Sequence, residues 1–312
     1  MDLRQLRYFI AIVEHGSFSK AAEALNVAQP ALSLHVRNME EELGSALLFR
    51  SSQGVVVTEA GQILLRHARS VLDQISAARH EIKGREAEPE GEVRLGLPGT
   101  ISQTLSVPLI LEARKQFPKI RLRIAEAMSG FVTEWIREGR IDLAIIYLPV
   151  EDKALSSSPV LSEELWLLGP IGRIPDVRPP PSGPCSYSVV AQLPLVLPSP
   201  THGLRTLLEN EAASHSLKLN TIIEVDSYTN IKGLVEEGFG YSILPFNSIA
   251  REVQGGRLLT WPICAPEIKR SVHLVHPVDR PLSHAAAAIE TLCRSTLLKL
   301  ASTGKWNGVR AL

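Results

Sequence analysis

Between Ser17 and Arg50 the chain reads SFSKAAEALNVAQPALSLHVRNMEEELGSALLFR, and this stretch narrows the fold more than any other. Two short helix-periodic runs meet at a brief break and are followed by Leu47, Leu48, Phe49 and Arg50. That layout sets one short helix across a second whose first turn can enter a DNA groove. Sequence-specific DNA recognition is therefore the leading expectation.

The local signals are consistent with one another. Leu3, Leu6, Phe9, Ile10 and Val13 recur at helical spacing, and His15-Gly16 is a stop signal. Ser17 or Ser19 can cap a short helix that turns Ala21, Ala22 and Leu25 inward, where small side chains let helices cross closely. Asn26 to Ala28 form the turn, and Pro30 suits the first turn of a helix whose buried positions are Leu32, Val36, Met39 and Leu43. The opposite face carries Gln29, Ser33 and Arg37, side chains able to reach adenine, guanine or phosphate. Such a helix pair is on its own an ordinary packing unit, and charge does not single it out. Residues 1–58 hold Arg4, Arg7, Lys20, Arg37 and Arg50 against Asp2, Glu14, Glu23, Glu40, Glu41 and Glu42, five positive against six negative. Placement must carry the affinity: Lys20, Arg37 and Arg50 can flank the groove while Glu40 to Glu42 fall at the distal end of the helix. Few phosphate contacts per protomer imply a modest salt slope and binding as a dimer or higher oligomer.

The next segment supplies a pairing element. From Thr58, a candidate N-cap with Glu59 favourable beside it, a long helix is expected to about Gly84. Leu64, Ala68, Val71, Ile75, Ala78 and Ile82 step by four and three, a heptad seam that pairs two copies and holds two reading helices at a fixed separation. The competing reading packs this stripe on the chain's own following domain.

A polar stretch from Lys83 to Gly91 marks a boundary, after which the pattern changes. Glu92 to Leu97 and Ile120 to Ile124 alternate like strands, Ser102 to Phe117 and Phe131 to Glu138 read as helices, and Asp142 to Tyr147 is an apolar strand. The alternation resumes near Leu165 to Leu168. It continues through Leu195 to Leu197, a helix around Arg205 to Ser214, Ile222 to Val225, a helix from Tyr228 to Glu237 and a strand from Tyr241 to Leu244. Val272 to Val275 and a helix from His284 to about Leu300 close it. Strands alternating with helices imply βαβ units and a mostly parallel sheet.

Composition excludes other classes. The chain balances 33 basic against 33 acidic residues, which argues against a nucleic-acid coat protein or a membrane-surface binder. It shows no export segment and no span of roughly 18 apolar residues, so a cytoplasmic location is expected. Cys185, Cys264 and Cys293 lack metal-ligand spacing, and nine histidines are scattered. Motifs for a nucleophile elbow, a P-loop or a zinc protease are absent, and Gly238-Phe239-Gly240 precedes a strand instead of opening a phosphate-binding helix. No enzymatic activity, cofactor or metal is expected.

The helix pair, the wing-like segment Phe49 to Val55 and Thr58 to Gly61 resemble the amino-terminal region of the LysR-type transcriptional regulators. The resemblance is strongest over residues 2 to 66 and extends in layout over the whole chain. It implies an α+β multidomain fold with three parts: a winged helix-turn-helix at 1–58, a linker helix and hinge at 59–90, and a sensor at 91–312. The sensor would resemble periplasmic binding proteins, with lobe 1 near 91–162 and 268–312 and lobe 2 near 163–267. Lys20, Gln29, Pro30, Ser33, Leu34, Arg37, Arg50 and Gln53 are then the candidate DNA contacts. Position 28, often Ser or Thr in the family, is Ala here, which removes a cap worth roughly 1 kcal/mol.

Ligands of open parallel sheets sit at the carboxyl ends of strands, so the cleft between lobes is the expected effector site. Three loops qualify, from Pro98 to Ser102, from Pro198 to His202 and from Asp226 to Thr229; the first two offer Gly99, Thr100, Ile101, Ser102, Ser199, Thr201 and His202, and the resemblance adds Ser129, Tyr147 and Ser227. Hydroxyls and backbone amides there suit a small acid, although Ser and Thr before helices commonly act as N-caps only. Arg205 is the nearest candidate for a carboxylate clamp. Within the family, Ala28 to Ser33, Leu97 to Thr100 and Ile145 to Tyr147 look closest to the nitrogen-assimilation-control type. The implied partners are double-stranded promoter DNA, a small-molecule effector, further copies of the chain as dimer and dimer of dimers, and RNA polymerase. Alternatives are a solute-binding protein without DNA function and a regulator controlled by its abundance alone.

Overall fold

The computed structural model describes residues 1–51, 54–83, 88–147, 152–278 and 281–312. The chain starts with three helices, α1 (Leu3–His15), α2 (Phe18–Leu25) and α3 (Gln29–Leu43). A two-stranded wing, β1 (Leu48–Ser51) and β2 (Gly54–Val57), leads into the long α4 (Glu59–Lys83). The helix ends follow local chemistry. Asp2 and Gln5 exchange backbone-to-side-chain hydrogen bonds in a capping box, and Gly16 ends α1 in the left-handed region. Asn26, also left-handed, closes α2. Ala28 precedes α3 without a side-chain cap. Thr58 Oγ1 accepts the Gly61 N–H at 2.9 Å and donates to the Ala46 carbonyl, tying the start of α4 to the segment before the wing.

Phe9, Ile12, Ala21, Ala22, Leu32, Val36, Met39 and Leu47 form the core of this unit, joined from α4 by Leu64, Leu65 and Ala68. Two expectations are corrected here. Leu43, expected as the fourth buried position of α3, is exposed: it is the last helical residue before the Gly44 cap, where the helix runs out. Leu64 and Ala68 belong to this protomer's own core and cannot face a partner. A four-three spacing also suits a helix packed on its own domain, and the first turns of α4 use it that way. Past Ala68 the stripe emerges: Ile75 is half-buried, while Val71, Ala78 and Ile82 are exposed.

The first part of the sensor contains β3 (Gly91–Leu97), α5 (Gly99–Gln116), β4 (Ile120–Glu126), α6 (Ser129–Arg137) and β5 (Leu143–Ile146). A 16-residue strand β6 (Leu155–Pro170) then crosses to the second lobe. There follow β7 (Cys185–Ser186), α7 (Tyr187–Gln192), β8 (Leu195–Leu197), α8 (Gly203–Ser214), β9 (Thr221–Glu224) and α9 (Tyr228–Glu236). That lobe is completed by β10 (Ser242–Pro245), α10 (Phe246–Gln254) and β11 (Leu258–Cys264). The returning β12 (Lys269–Pro277), α11 (His284–Ser302) and β13 (Val309–Ala311) rejoin the first lobe.

The sheet is mixed, which corrects the expectation of a mostly parallel one. β3 is parallel to β4 and β5, and β8 to β9, but β6 and β12 run antiparallel along their length with Glu163 opposite Arg270. A chain that leaves one lobe on a strand and returns on its neighbour must pair them in opposite directions. Each lobe has its own core, around Leu95, Leu105, Ile145, Ile289 and Trp306 in one and Leu167, Tyr187, Leu208 and Ile243 in the other. Asn247 Nδ2 at the start of α10 bridges the lobes by donating to Thr104 Oγ1 at 2.8 Å. Among the described residues no helix is long and apolar enough to cross a membrane.

Candidate nucleic-acid interface and interlobe cleft

The exposed face of α3 gathers Gln29, Pro30, Leu34 and Arg37, with Ser33 half-buried among them. Gln29 Nε2 donates to Ser33 Oγ at 3.2 Å, so the two polar side chains share one turn. Arg37 has only a loose surface contact with Glu41 at 3.6 Å, a pairing worth about 0.3–0.5 kcal/mol and readily exchanged for a phosphate. Lys20 is exposed on α2, and Arg50 stacks on the Phe18 ring at 4.2 Å, which fixes the wing against α2. The Val55 N–H donates to the Gly16 carbonyl, and at Gly54, with φ +125°, a Cβ would come 2.8 Å from that oxygen. Only glycine meets both conditions. Gln53 lies outside the described residues. Glu40 has a structural role that spacing did not reveal: its Oε1 accepts the N–H groups of Leu47 and Leu48 and joins α3 to the wing.

Between the lobes lies a cavity of about 630 Å³, on which the starts of α5, α6, α8 and α9 converge. Of the candidate effector contacts, Gly99, Thr100, Ser129, Tyr147, Thr201, His202 and Ser227 line it together. Three do not, and each has a physical reason. Because α5 begins at Gly99 instead of Ser102, Ile101 falls in its first turn and is fully buried in the lobe core. Ser102 Oγ is paired with Ser106 Oγ one turn along. Ser199 is held in its loop, with Oγ on Thr201 Oγ1 and its N–H on Asp226 Oδ1.

Several candidates double as caps. His202 Nδ1 accepts the Leu204 N–H at 3.1 Å and Ser227 Oγ accepts the Asn230 N–H. Burial holds the His202 imidazole below its ordinary pKa against the opposing pull of Asp226. The Ser199 N–H and the nearby His202 hold the Asp226 carboxyl below the usual range. By contrast, Pro98 and Met128 precede α5 and α6 with no side-chain cap, so the first N–H groups of these helices face the cavity without one.

The clamp expectation is also corrected. Arg205 is committed to Glu209, Glu224 and the Pro198 carbonyl and holds α8 to its neighbours. The arginine in the cavity is Arg270, only 4% exposed, at the crossing of β12 and β6. Its Nε donates to Glu163 Oε2 at 2.7 Å, while Glu163 Oε1 accepts the Trp306 indole N–H at 2.9 Å. The guanidinium lies 3.3 Å from the centre of the Tyr147 ring, and the Tyr147 hydroxyl shares a 2.7 Å hydrogen bond with Thr100. Burial opposes the Arg270 charge, but Tyr147 and Glu163 outweigh it and raise its pKa. Burial raises that of Tyr147 well above the ordinary phenol range.

Glu126, Glu134 and Asp226 also line the cavity. A simple anion entering here therefore meets three carboxylates beside Arg270. Sequence reading followed hydroxyls and helix starts and passed over the acids on a strand end and a mid-helix turn.

The comparisons with known proteins agree with this architecture. Residues 3–62 match the family described as bacterial regulatory helix-turn-helix protein, lysR family, and residues 86–298 match the LysR substrate binding domain. The chain belongs to the LysR family of transcriptional regulators. It is 32% identical over 300 residues to the nitrogen assimilation regulatory protein nac of Escherichia coli K12, covering 95% of each chain. The nac protein of Klebsiella aerogenes is equally similar over 298 residues. Among solved structures, a full-length OxyR variant from Pseudomonas aeruginosa superposes with a TM-score of 0.78 at 26% identity, covering 96% of this chain and 95% of that one. Full-length BenM superposes with a TM-score of 0.58 at 28% identity, covering 97% and 98%. The helix-turn-helix match removes the alternative of a solute-binding protein without a DNA module, and the LysR chain is a regulator, not an enzyme.

Proposed function

We propose that the chain acts in the cytoplasm as an effector-responsive regulator. In this reading residues 1–58 read promoter DNA, 59–90 pair and hinge, and 91–312 sense a small molecule. The observation that carries it is the shared turn of Gln29 and Ser33 on an uncapped helix, with Arg37, Lys20 and Arg50 around it. The uncapped N–H groups leave a place for a DNA phosphate, Gln29 and Ser33 address base edges, and Leu34 can meet a thymine methyl. Two copies pair through Val71, Ile75, Ala78 and Ile82. The exposed Val107, Ile110 and Leu111 on α5 support further association of sensor lobes into a dimer of dimers. RNA polymerase is the partner such a promoter-bound assembly would contact.

Gel-shift titration on DNA carrying two half-sites at varied spacing tests this reading. The double variant Gln29→Ala, Ser33→Ala is expected to lose preference for the specific site while keeping weak salt-sensitive binding. Equal specific binding by both proteins would refute readout at these positions, and indifference to spacing would refute pairing.

A further inference from the structure

The interlobe cavity is lined by groups of both charges. Glu126, Glu134 and Asp226 stand along its walls, and its basic lining is Arg270 and His202, the latter kept toward its neutral form by burial. Arg270 is almost wholly buried and not fully used: Nε is bonded to Glu163, whereas Nη2 lies 2.6 Å from the same oxygen but out of line for a hydrogen bond. Uncapped N–H groups of α5 and α6 add partial positive charge beside it. These features oppose each other for any ligand of a single charge. A lone anion is repelled by three carboxylates, and a lone cation by a buried guanidinium and the helix starts. The opposite charges are also close together. The Glu126 carboxylate lies so near the start of α5 that a Cβ on Gly99 would come 2.8 Å from its Oε1. A ligand group bonded to α5 N–H groups therefore sits within reach of that carboxylate. The lining also includes the apolar side chains of Met128, Phe131, Leu204 and Leu207.

We infer that the effector is an ampholyte of the amino-acid class, with its carboxylate on the α5 and α6 starts and Arg270, its ammonium against Glu126 and Glu134, and an apolar or partly apolar side chain. The adjacency of the two charges at Gly99 matches an amine and a carboxylate on neighbouring atoms. A cavity of about 630 Å³ accommodates any such molecule. The inference rests on the cleft being the effector site, and it names what that site selects.

The test uses the full-length protein with three sets of probes in thermal-shift and calorimetric titrations. They are the standard amino acids, the carboxylic acids that lack their amine (propanoate, 3-phenylpropanoate, succinate), and the amines that lack their carboxylate. At least one amino acid is expected to raise the melting temperature and to bind about tenfold or more tightly than both truncated counterparts. Glu126→Gln and Glu134→Gln, both at exposed positions, are expected to weaken the amino acid about tenfold and to leave the truncated acid unchanged or tighter. A truncated acid that binds as well as the amino acid, or variants that weaken both alike, overturns the ampholyte while the cleft reading stands. Gly130 lines the cavity with open space where its Cβ would be, so Gly130→Trp fills the cleft without disturbing the core. Ligand binding that survives Gly130→Trp, or silence from all three sets, overturns the cleft reading itself.

Discussion

The corrected seam on α4 makes a prediction that separates pairing from folding. Ile82 is 85% exposed in the protomer and Ile75 is half-buried, so pairing removes nearly a whole isoleucine side chain and part of another from water. At 1.5–3 kcal/mol for a fully buried side chain, this amounts to roughly 3 kcal/mol per protomer and about 6 kcal/mol per pair, or some four orders of magnitude in the dissociation constant. The double variant Ile75→Asp, Ile82→Asp reverses that gain and adds like-charge repulsion across the seam. In sedimentation velocity the assembly is expected to fall to half its mass, held only by sensor-lobe contacts, and the gel-shift midpoint to rise in step. The melting temperature of the N-terminal unit should not move, because neither side chain belongs to its core. Ala68→Asp is the contrasting variant. Ala68 is buried in that core, so a carboxylate there is desolvated without a partner and costs several kcal/mol of folding stability. An unchanged sedimentation profile for the isoleucine variant, or a folded but monomeric Ala68→Asp protein, would refute the division of α4 into a core half and a pairing half.

Two further predictions concern the sensor. Glu163→Gln leaves the Arg270 guanidinium buried without its counter-charge and is expected to cost about 3 kcal/mol, seen by calorimetry as a lower melting temperature of the sensor transition; Glu163→Gln combined with Arg270→Met should recover part of it, because no uncompensated charge is then left buried while the carbonyl of the introduced glutamine can still accept the Trp306 N–H. His202 caps α8 through an unprotonated Nδ1, and its folded-state pKa lies below the unfolded value of about 6.5. Its contribution to stability is therefore complete above that unfolded value and is lost as pH falls through the lower folded one, so sensor melting should be flat near pH 8 and decline below about 6.5. His202→Asn, which keeps a capping oxygen and removes the titration, should flatten part of that decline, and an identical pH profile would count against the cap.

What could be read from the sequence divides along the range of the interactions. The ends of α1 to α3 are set by Gly16, Ser17, Asn26, Pro30 and Gly44, each acting on backbone within a few residues of itself, so they could be read locally. The first half of β6 could not. Leu155 to Ser162 carries a polar serine run and becomes a strand only because β12, more than a hundred residues later, supplies its hydrogen bonds. α10, β11 and β13 were missed for the same reason: each packs on or pairs with β6. The candidate site divides likewise. Thr100, Ser129 and Ser227 stand at helix starts and carry that signal in the sequence. Arg270 looks like any strand arginine until Glu163 and Tyr147 meet it from other elements.

A ligand in the cleft shifts the regulator only through interactions that differ between two arrangements of the chain. The bridge between Asn247 and Thr104 spans the lobes, so it belongs to one lobe arrangement and is lost when α10 moves away from α5. On the far side of lobe 1, Arg69 of α4 donates from one nitrogen to Glu14 of α1 and from another to the Gly139 carbonyl. That carbonyl also accepts from Arg94, which is locked in turn to Asp142 at the edge of β5. Burial and the nearby Arg94 charge both lower the Arg69 pKa, so the contact keeps two like charges close around one carbonyl. It holds only while Glu14 and Asp142 stay in place. Arg69 is thus bonded at once to the DNA-reading unit and to the lobe that carries Gly99, Thr100 and Tyr147. A movement of lobe 1 that displaces Gly139 must either break the Arg69 contact or carry α1 and α4 with it, and both outcomes change where α3 is held.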